Sequence, residues 1–340
     1  MYSFTNDYSE GAHPKVLKAL IETNEIQTPG YGEDEYCKKA SDKLKELLEN
    51  DNVDVHYLVG GTQTNMIFIA SMLKSYEAII AVDSGHIAVH ETGSIESTGH
   101  KVITRPHIEG KITVDMIQSV LDEHDNYHMV KPKAVYISQT TEYGSYYTKE
   151  EMEKIYQYCQ SKNLYFFIDG ARLGSALVQS DSPTLAQMAK NCDGFYIGGT
   201  KMGALFGECL VIINDQLKPD FKFYMKQRGA LLAKGRLLGV QFLTLFSDNL
   251  YLEIGQYQNE LAGIITHSIL DEGYELFVPA KTNQVFAIFP NDIIEKLSQE
   301  FSFNISHRVD DNRSCIRLVT SFATKVDEVN RFVEVLKNLR

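Results

Sequence analysis

Apolar residues recur along this chain in two alternating rhythms. Short runs rich in β-branched and aromatic residues predict strands: "VHYLVGG" (55–61), "AIIAVD" (78–83), "KVITR" (101–105), "AVYISQ" (134–139), "YFFIDGA" (165–171), "GFYIGG" (194–199) and "CLVIIN" (209–214). Between several of them lie segments with apolar residues at helical spacing, "TNMIFIASMLK" (64–74), "TVDMIQSVLDE" (113–123) and "KEEMEKIYQYCQSK" (149–162). Strands alternating with amphipathic helices are the pattern of an α/β protein with a mostly parallel sheet, here of seven strands. A long helical pattern from Tyr251 to Glu272 carries the chain onward. Beyond it "QVFAIFP" (284–290), "DIIEKLSQEF", "FNISHRV", "SCIRLVTSF" and "KVDEVNRFVEVLKNL" read as a smaller α+β unit. The pattern therefore predicts an N-terminal segment (1–20) free to pack on either domain, a large domain (21–255) and a small C-terminal domain (256–340). Internal repeats and low-complexity linkers are absent.

Composition narrows the classes of function. A chain of 340 residues, 44% hydrophobic, can bury a substantial core. A net charge of -12 argues against a nucleic-acid partner, because phosphate binding needs clustered Lys and Arg. No stretch approaches the roughly 18 consecutive apolar residues of a membrane span. The start "MYSFTNDYSEGAHP" lacks a basic region followed by an apolar one, so a cytoplasmic protein with no membrane partner is expected. Five scattered cysteines, with no C-x-x-C, read as reduced fillers.

In parallel α/β sheets ligands sit beyond the carboxyl ends of the strands, so polar residues that end apolar runs carry the candidate chemistry. "YLVGGTQTN" puts Gly60, Gly61 and Thr62 at the start of a helix, where free N–H groups can hold a phosphate or simply make an ordinary turn. "AVDSGHIAVHETGS" places His86 after a strand with His90 and Glu91 beyond it. The order is not that of H-E-x-x-H and no third ligand is evident, so no metal is expected; the imidazole can stack on a flat cofactor or move a proton. "YFFIDGARLG" ends a buried strand in Asp169, followed by Arg172. Such a carboxylate needs a partner, which could be Arg172 itself or a protonated ring nitrogen. Lys201 follows "GFYIGG", and an amine there is suited to condense with an aldehyde cofactor. An anion site, a ring platform, a nitrogen partner and an amine, in that order, are what pyridoxal phosphate needs.

The chain resembles the fold type I pyridoxal-phosphate enzymes, and within them the L-threonine aldolase and β-eliminating lyase group. The resemblance rests on "FTNDYSEGAHPKVLKAL", "YGEDE", "GGTQTN", "SGHIAVHETG", "IDGARLG", "GGTKMGALFGE" and "IRLVTSFAT", and it spans nearly the whole chain. It implies that Lys201 attaches the cofactor, Asp169 pairs with the pyridine nitrogen, and Gly60, Gly61, Thr62 and Thr200 serve the cofactor site. It further implies that His86 stacks on the ring near the substrate hydroxyl, that Arg172 contacts the cofactor oxygen or the substrate carboxylate, and that Arg317 binds that carboxylate. The family forms dimers or tetramers, which makes Tyr31, Lys226 and Arg236 candidates to reach a neighbouring subunit's site. Three departures stand out: Asn6 where the group has a serine before the aspartate, Glu142 where many threonine aldolases have a histidine, and a long segment at 226–239.

The activity implied is cleavage of a β-hydroxy-α-amino acid such as L-threonine or L-allo-threonine to glycine and an aldehyde, with His86 or Glu142 as the base. The alternatives are a β-eliminating lyase on another amino acid and a pyridoxal-phosphate-binding regulatory protein without turnover.

Overall fold

The computed structural model describes residues 1–339. All seven predicted strands form one sheet, in the order Asp54–Leu58, Glu208–Ile212, Gly194–Gly198, Tyr165–Asp169, Lys131–Ser138, Glu77–Val82, Lys101–Arg105. Glu208–Ile212 runs antiparallel to both of its neighbours, and the other strands share one direction. Helices cover both faces, which is why the inner strands are apolar without interruption. Every residue of Glu77–Val82, Gly194–Gly198 and Glu208–Ile212 is buried.

Period-2 alternation divides those strands between two cores. Val135, Ile137, Phe166, Ile168, Phe195 and Ile197 face one side. Ala134, Tyr136, Phe167, Tyr196 and Leu210 face the other, where they pack on the helix Gly61–Met72. That helix is apolar nearly all round, as a helix buried against a sheet must be. It begins three residues before the predicted Thr64, because the strand ends at Leu58 and Gly60 turns directly into the helix. Surface helices start on side-chain caps: Asp34 accepts from the Tyr36 and Cys37 N–H groups, and Thr148 with Glu151 forms a capping box.

The small domain is an antiparallel sheet in the order Asn304–Arg308, Arg313–Val319, Gln284–Pro290, Glu275–Leu276, backed by Asn291–Leu297 and Val326–Asn338. The helix Leu250–Asp271 serves both cores. Leu250, Tyr251 and Ile254 pack in the large one, and Leu261, Ala262, Ile265 and Ile269 in the small one. The first residues also use both domains. Tyr2–Ser3 pairs parallel with Phe301–Ser302 and Phe4 is fully buried in the small core. By His13, whose N–H donates to the Gly203 carbonyl at 2.8 Å, the chain has crossed to the large domain, and Val16 of helix Pro14–Glu22 is buried there. All five cysteines are buried and unpaired, and among the described residues no helix is long and apolar enough to cross a membrane.

Candidate active site

The carboxyl ends of the sheet strands open onto a cavity of about 600 Å³ whose walls include Gly60, Gly61, Thr62, His86, Glu142, Asp169, Arg172, Thr200, Lys201 and Arg317. Residues far apart in sequence meet there because parallel strands deliver their ends to one edge. Asp169 ends Tyr165–Asp169, Lys201 follows Gly194–Gly198 by three residues, and Gly60 follows Asp54–Leu58 by two.

Asp169 is buried and held by four donors. Its Oδ2 accepts from the Tyr136 hydroxyl at 2.6 Å and from Asn65 Nδ2 at 3.0 Å. Its Oδ1 accepts from the Tyr196 hydroxyl at 2.5 Å and from the Ala171 N–H at 3.0 Å. Tyr136, Tyr196 and Asp169 share a sheet face by the alternation just described, so the phenols need only reach along the pleat. Burial by itself would raise the carboxyl's pKa, but the charge of His86 and the donors Tyr136, Tyr196 and Asn65 outweigh it, and Asp169 lies below the ordinary carboxylate range. Arg172 is not its partner: the short-range Asp169–Arg172 pairing is replaced by phenols on the strands to either side.

Arg172 instead forms a two-pronged ion pair with Asp7, Nε to Oδ2 at 2.6 Å and Nη2 to Oδ1 at 3.1 Å, both side chains buried. Asn283 Nδ2 adds a third bond to Asp7 Oδ2 at 2.9 Å. The N-terminal segment, the large domain and the small domain thus meet at one carboxylate. Burial pushes Asp7 upward, yet Arg172, Lys201 and the Arg172 and Asn283 hydrogen bonds hold it below its ordinary value.

His86 begins the short helix His86–Val89 and its Nδ1 lies 2.7 Å from Glu91 Oε1. Glu91 is buried and also accepts from Ser94 at 2.6 Å and from Asn65 at 2.7 Å. Asn65 therefore bridges the His86–Glu91 pair to Asp169. A carboxylate on Nδ1 fixes the proton there and leaves Nε2 as the basic nitrogen. Burial lowers the His86 pKa, but the Glu91 bond and the charges of Glu142 and Asp169 more than reverse this, so it is raised.

Lys201 lies 6.0 Å from the Tyr8 ring centroid and, among the described residues, is in no ion pair. Burial and the nearby Arg172 lower its pKa against the pull of Asp7, Glu142 and Asp169. Arg317, on Arg313–Val319, donates from Nη2 to the Thr5 carbonyl at 3.2 Å, and among the described residues its buried Nε has no partner. Burial and repulsion from Arg172 depress its pKa. A guanidinium left short of acceptors beside another is a site for an anion. Glu142 accepts a 3.5 Å contact from Ser138 and, with His90 and Arg317, also walls an adjoining cavity of about 550 Å³.

Asn6, and the three residues expected to reach a neighbouring subunit's site, lie outside the Lys201 cavity. The Asn6 Oδ1 accepts from the Tyr8 N–H and the Ser9 hydroxyl. Tyr31 walls a separate cavity of about 500 Å³ and carries Lys226 Nζ 4.6 Å above its ring. Arg236 binds the Thr23 and Ile26 carbonyls and stacks 5.2 Å from Tyr36. Sequence reasoning missed Asp7, Asn65, Tyr136, Tyr196 and Glu208 as members of the site. Tyrosines within otherwise apolar strands were the available signal, since a buried phenol needs a hydrogen-bond partner. Among the described residues no group of three or more His, Cys, Asp or Glu is arranged to hold a metal ion.

The beta-eliminating lyase family model matches residues 10–290. The chain belongs to that family. A relative, the low specificity L-threonine aldolase of Pseudomonas aeruginosa, is 30% identical over 86% of this chain and 86% of its own length. The solved structure of a Leishmania major threonine aldolase is 49% identical and superposes with a TM-score of 0.98, covering 100% of this chain and 99% of that one. The histidinol-phosphate aminotransferase of Clostridium acetobutylicum, 15% identical with a TM-score of 0.74, shares the fold, which is that of the fold type I transferases.

Proposed function

We propose that the protein is a pyridoxal-phosphate-dependent aldolase that cleaves L-threonine or L-allo-threonine to glycine and acetaldehyde. The observation that carries this reading is Asp169, a buried carboxylate kept ionised by phenol and amide donors at the floor of a cavity that also holds an unpaired lysine. The resemblance to the Pseudomonas and Leishmania threonine aldolases supports the substrate.

The residues fit the cofactor. Gly60 has open space where a Cβ would stand, room that a phosphate can take, and a Cβ on Gly61 would come within 2.9 Å of the Tyr196 hydroxyl. The helix Gly61–Met72 opens without a side-chain cap, which leaves its first N–H groups for that anion. When bound, pyridoxal phosphate supplies an electron sink for the pair released as Cα–Cβ breaks. Asp169 would hold a proton on the ring nitrogen, and Lys201, whose pKa burial and Arg172 lower, would attach the aldehyde. Arg317, with Arg172 beside it, would bind the substrate carboxylate. His86, oriented by Glu91, would take the β-hydroxyl proton on Nε2, while Glu142 favours the charged imidazole that results.

A homodimer or homotetramer in the cytoplasm completes the reading, acting on small amino acids and on neither nucleic acid nor membrane. The exposed Tyr31 with Lys226 over it, outside the Lys201 cavity, is what supports contact with a neighbouring subunit, with Arg236 close behind. The test is Lys201→Ala together with product analysis. The variant is expected to lose the cofactor's visible absorbance and all turnover, and the parent to give glycine and acetaldehyde from threonine. A coloured, active Lys201→Ala protein, or pyruvate and ammonia as the products, would overturn the proposal.

A further inference from the structure

Glu208 is a buried acid with no part in the chemistry above, yet it lines the Lys201 cavity. In the sheet it is flanked by Leu58 on one side and Gly198 on the other. It therefore starts its strand between the two strand ends that deliver Gly60–Thr62 and Thr200–Lys201. Its Oε2 accepts from the Gly199 N–H at 3.0 Å, its Oε1 lies 2.9 Å from the Thr200 hydroxyl, and that hydroxyl oxygen accepts from the Gly207 N–H at 3.0 Å.

We propose that Glu208 is the proton-bearing member of the anion cradle: as a neutral acid it donates to Thr200 Oγ1 and so frees the Thr200 hydroxyl proton for the cofactor's phosphate. The inference rests on the cofactor reading above. Thr200 has one proton. When Glu208 is ionised, that proton is drawn to Oε1 and none is left for a ligand. When Glu208 is neutral, the proton on Oε1 is given to Thr200 Oγ1, which can accept it alongside the Gly207 N–H, and the threonine proton turns into the cavity. The Gly199 bond to Oε2 is unchanged and no heavy atom has to move.

The surroundings favour the neutral form. Lys201 faces Glu208 from the same hairpin, Tyr196 from the adjacent strand, Asp169 from the end of the strand beyond it, and Tyr251 from the helix Leu250–Asp271. Burial pushes the carboxyl up to about 8 against the Thr200 and Gly199 bonds and the Lys201 charge, and Asp169 adds to the rise. A dianionic phosphate would raise it further. Binding above that pH then takes up one proton, so affinity is full below it and falls by up to about tenfold per pH unit above it.

The test titrates the full chain with pyridoxal 5'-phosphate and with pyridoxal, which lacks the phosphate, from about pH 6 to about pH 10. Both aldehydes attach to Lys201, so titration of the lysine cancels in the ratio of the two affinities. In the parent the advantage of the phosphorylated form is expected to be level to about pH 8 and then to drop about tenfold per unit. Glu208→Gln, a permanently neutral donor to Thr200, should hold the advantage level throughout. Thr200→Val should lose the drop above about pH 8 together with the threonine's share of the advantage, and keep the share supplied by the first N–H groups of Gly61–Met72, which keeps the proposal testable should the glutamine variant not fold. A level ratio in the parent with both aldehydes bound, or the parent's slope retained in Glu208→Gln, would overturn this inference alone. Failure of both aldehydes to bind would overturn the cofactor reading and this inference with it.

Discussion

Asp7 is fully buried and, among the described residues, its ion pair is with Arg172, itself all but inaccessible, with bonds of 2.6 and 3.1 Å. Truncation by Asp7→Ala strands a guanidinium that water reaches only from the cavity side and also removes an acceptor for Asn283. Breaking one side of a buried pair costs about 3–5 kcal/mol, so a large fraction of a domain's stability is at stake. Replacing both partners, Asp7→Asn with Arg172→Met, removes the stranded charge and should bring the loss below about 2 kcal/mol. Urea unfolding followed by far-UV circular dichroism measures both, and the coupling is read from the cycle of Asp7→Asn, Arg172→Met and the two combined. The pH dependence carries a sign as well. Because Asp7 lies below its ordinary pKa in the folded chain, its contribution is complete above the ordinary carboxylate value and is lost as pH falls through the lower folded one. A loss under about 1 kcal/mol for Asp7→Ala, or a double variant as unstable as the sum of the singles, would refute the claim that this pair ties the N-terminal segment to both domains.

Two further outcomes follow from the site. Glu91→Gln removes the strongest influence that raises His86, so the acid limb of the pH–rate profile should move to lower pH while maximal turnover drops; an unmoved limb would exclude His86 as the titrating base. Tyr196→Phe deletes a charge-assisted donor to Asp169, worth about 1.5–3 kcal/mol, and should raise the Asp169 pKa and weaken cofactor retention measured by dialysis and absorbance; retention equal to the parent's would show that the remaining donors suffice.

The sequence by itself determined the strands, the long shared helix and the strand-end positions of Gly60, His86, Asp169 and Lys201. Those features are local: period 2 or 3.6 in apolar residues, and a polar residue where an apolar run stops. It did not determine who answers whom. Asp169 and Arg172 are three residues apart and look like a pair, yet in the fold each finds its partner elsewhere, Asp169 in Tyr136 and Tyr196 and Arg172 in Asp7. Sheet register decides the first, because it sets two phenols beside one carboxylate, and the crossing of the N-terminal segment decides the second. Glu208 is the same case: in sequence it is the first residue of an apolar run, and only its registration between Leu58 and Gly198 puts a buried acid at the mouth of the anion site. Proximity in sequence is a property of the chain. The energy of a buried charge depends on what the rest of the fold brings within about 3 Å of it.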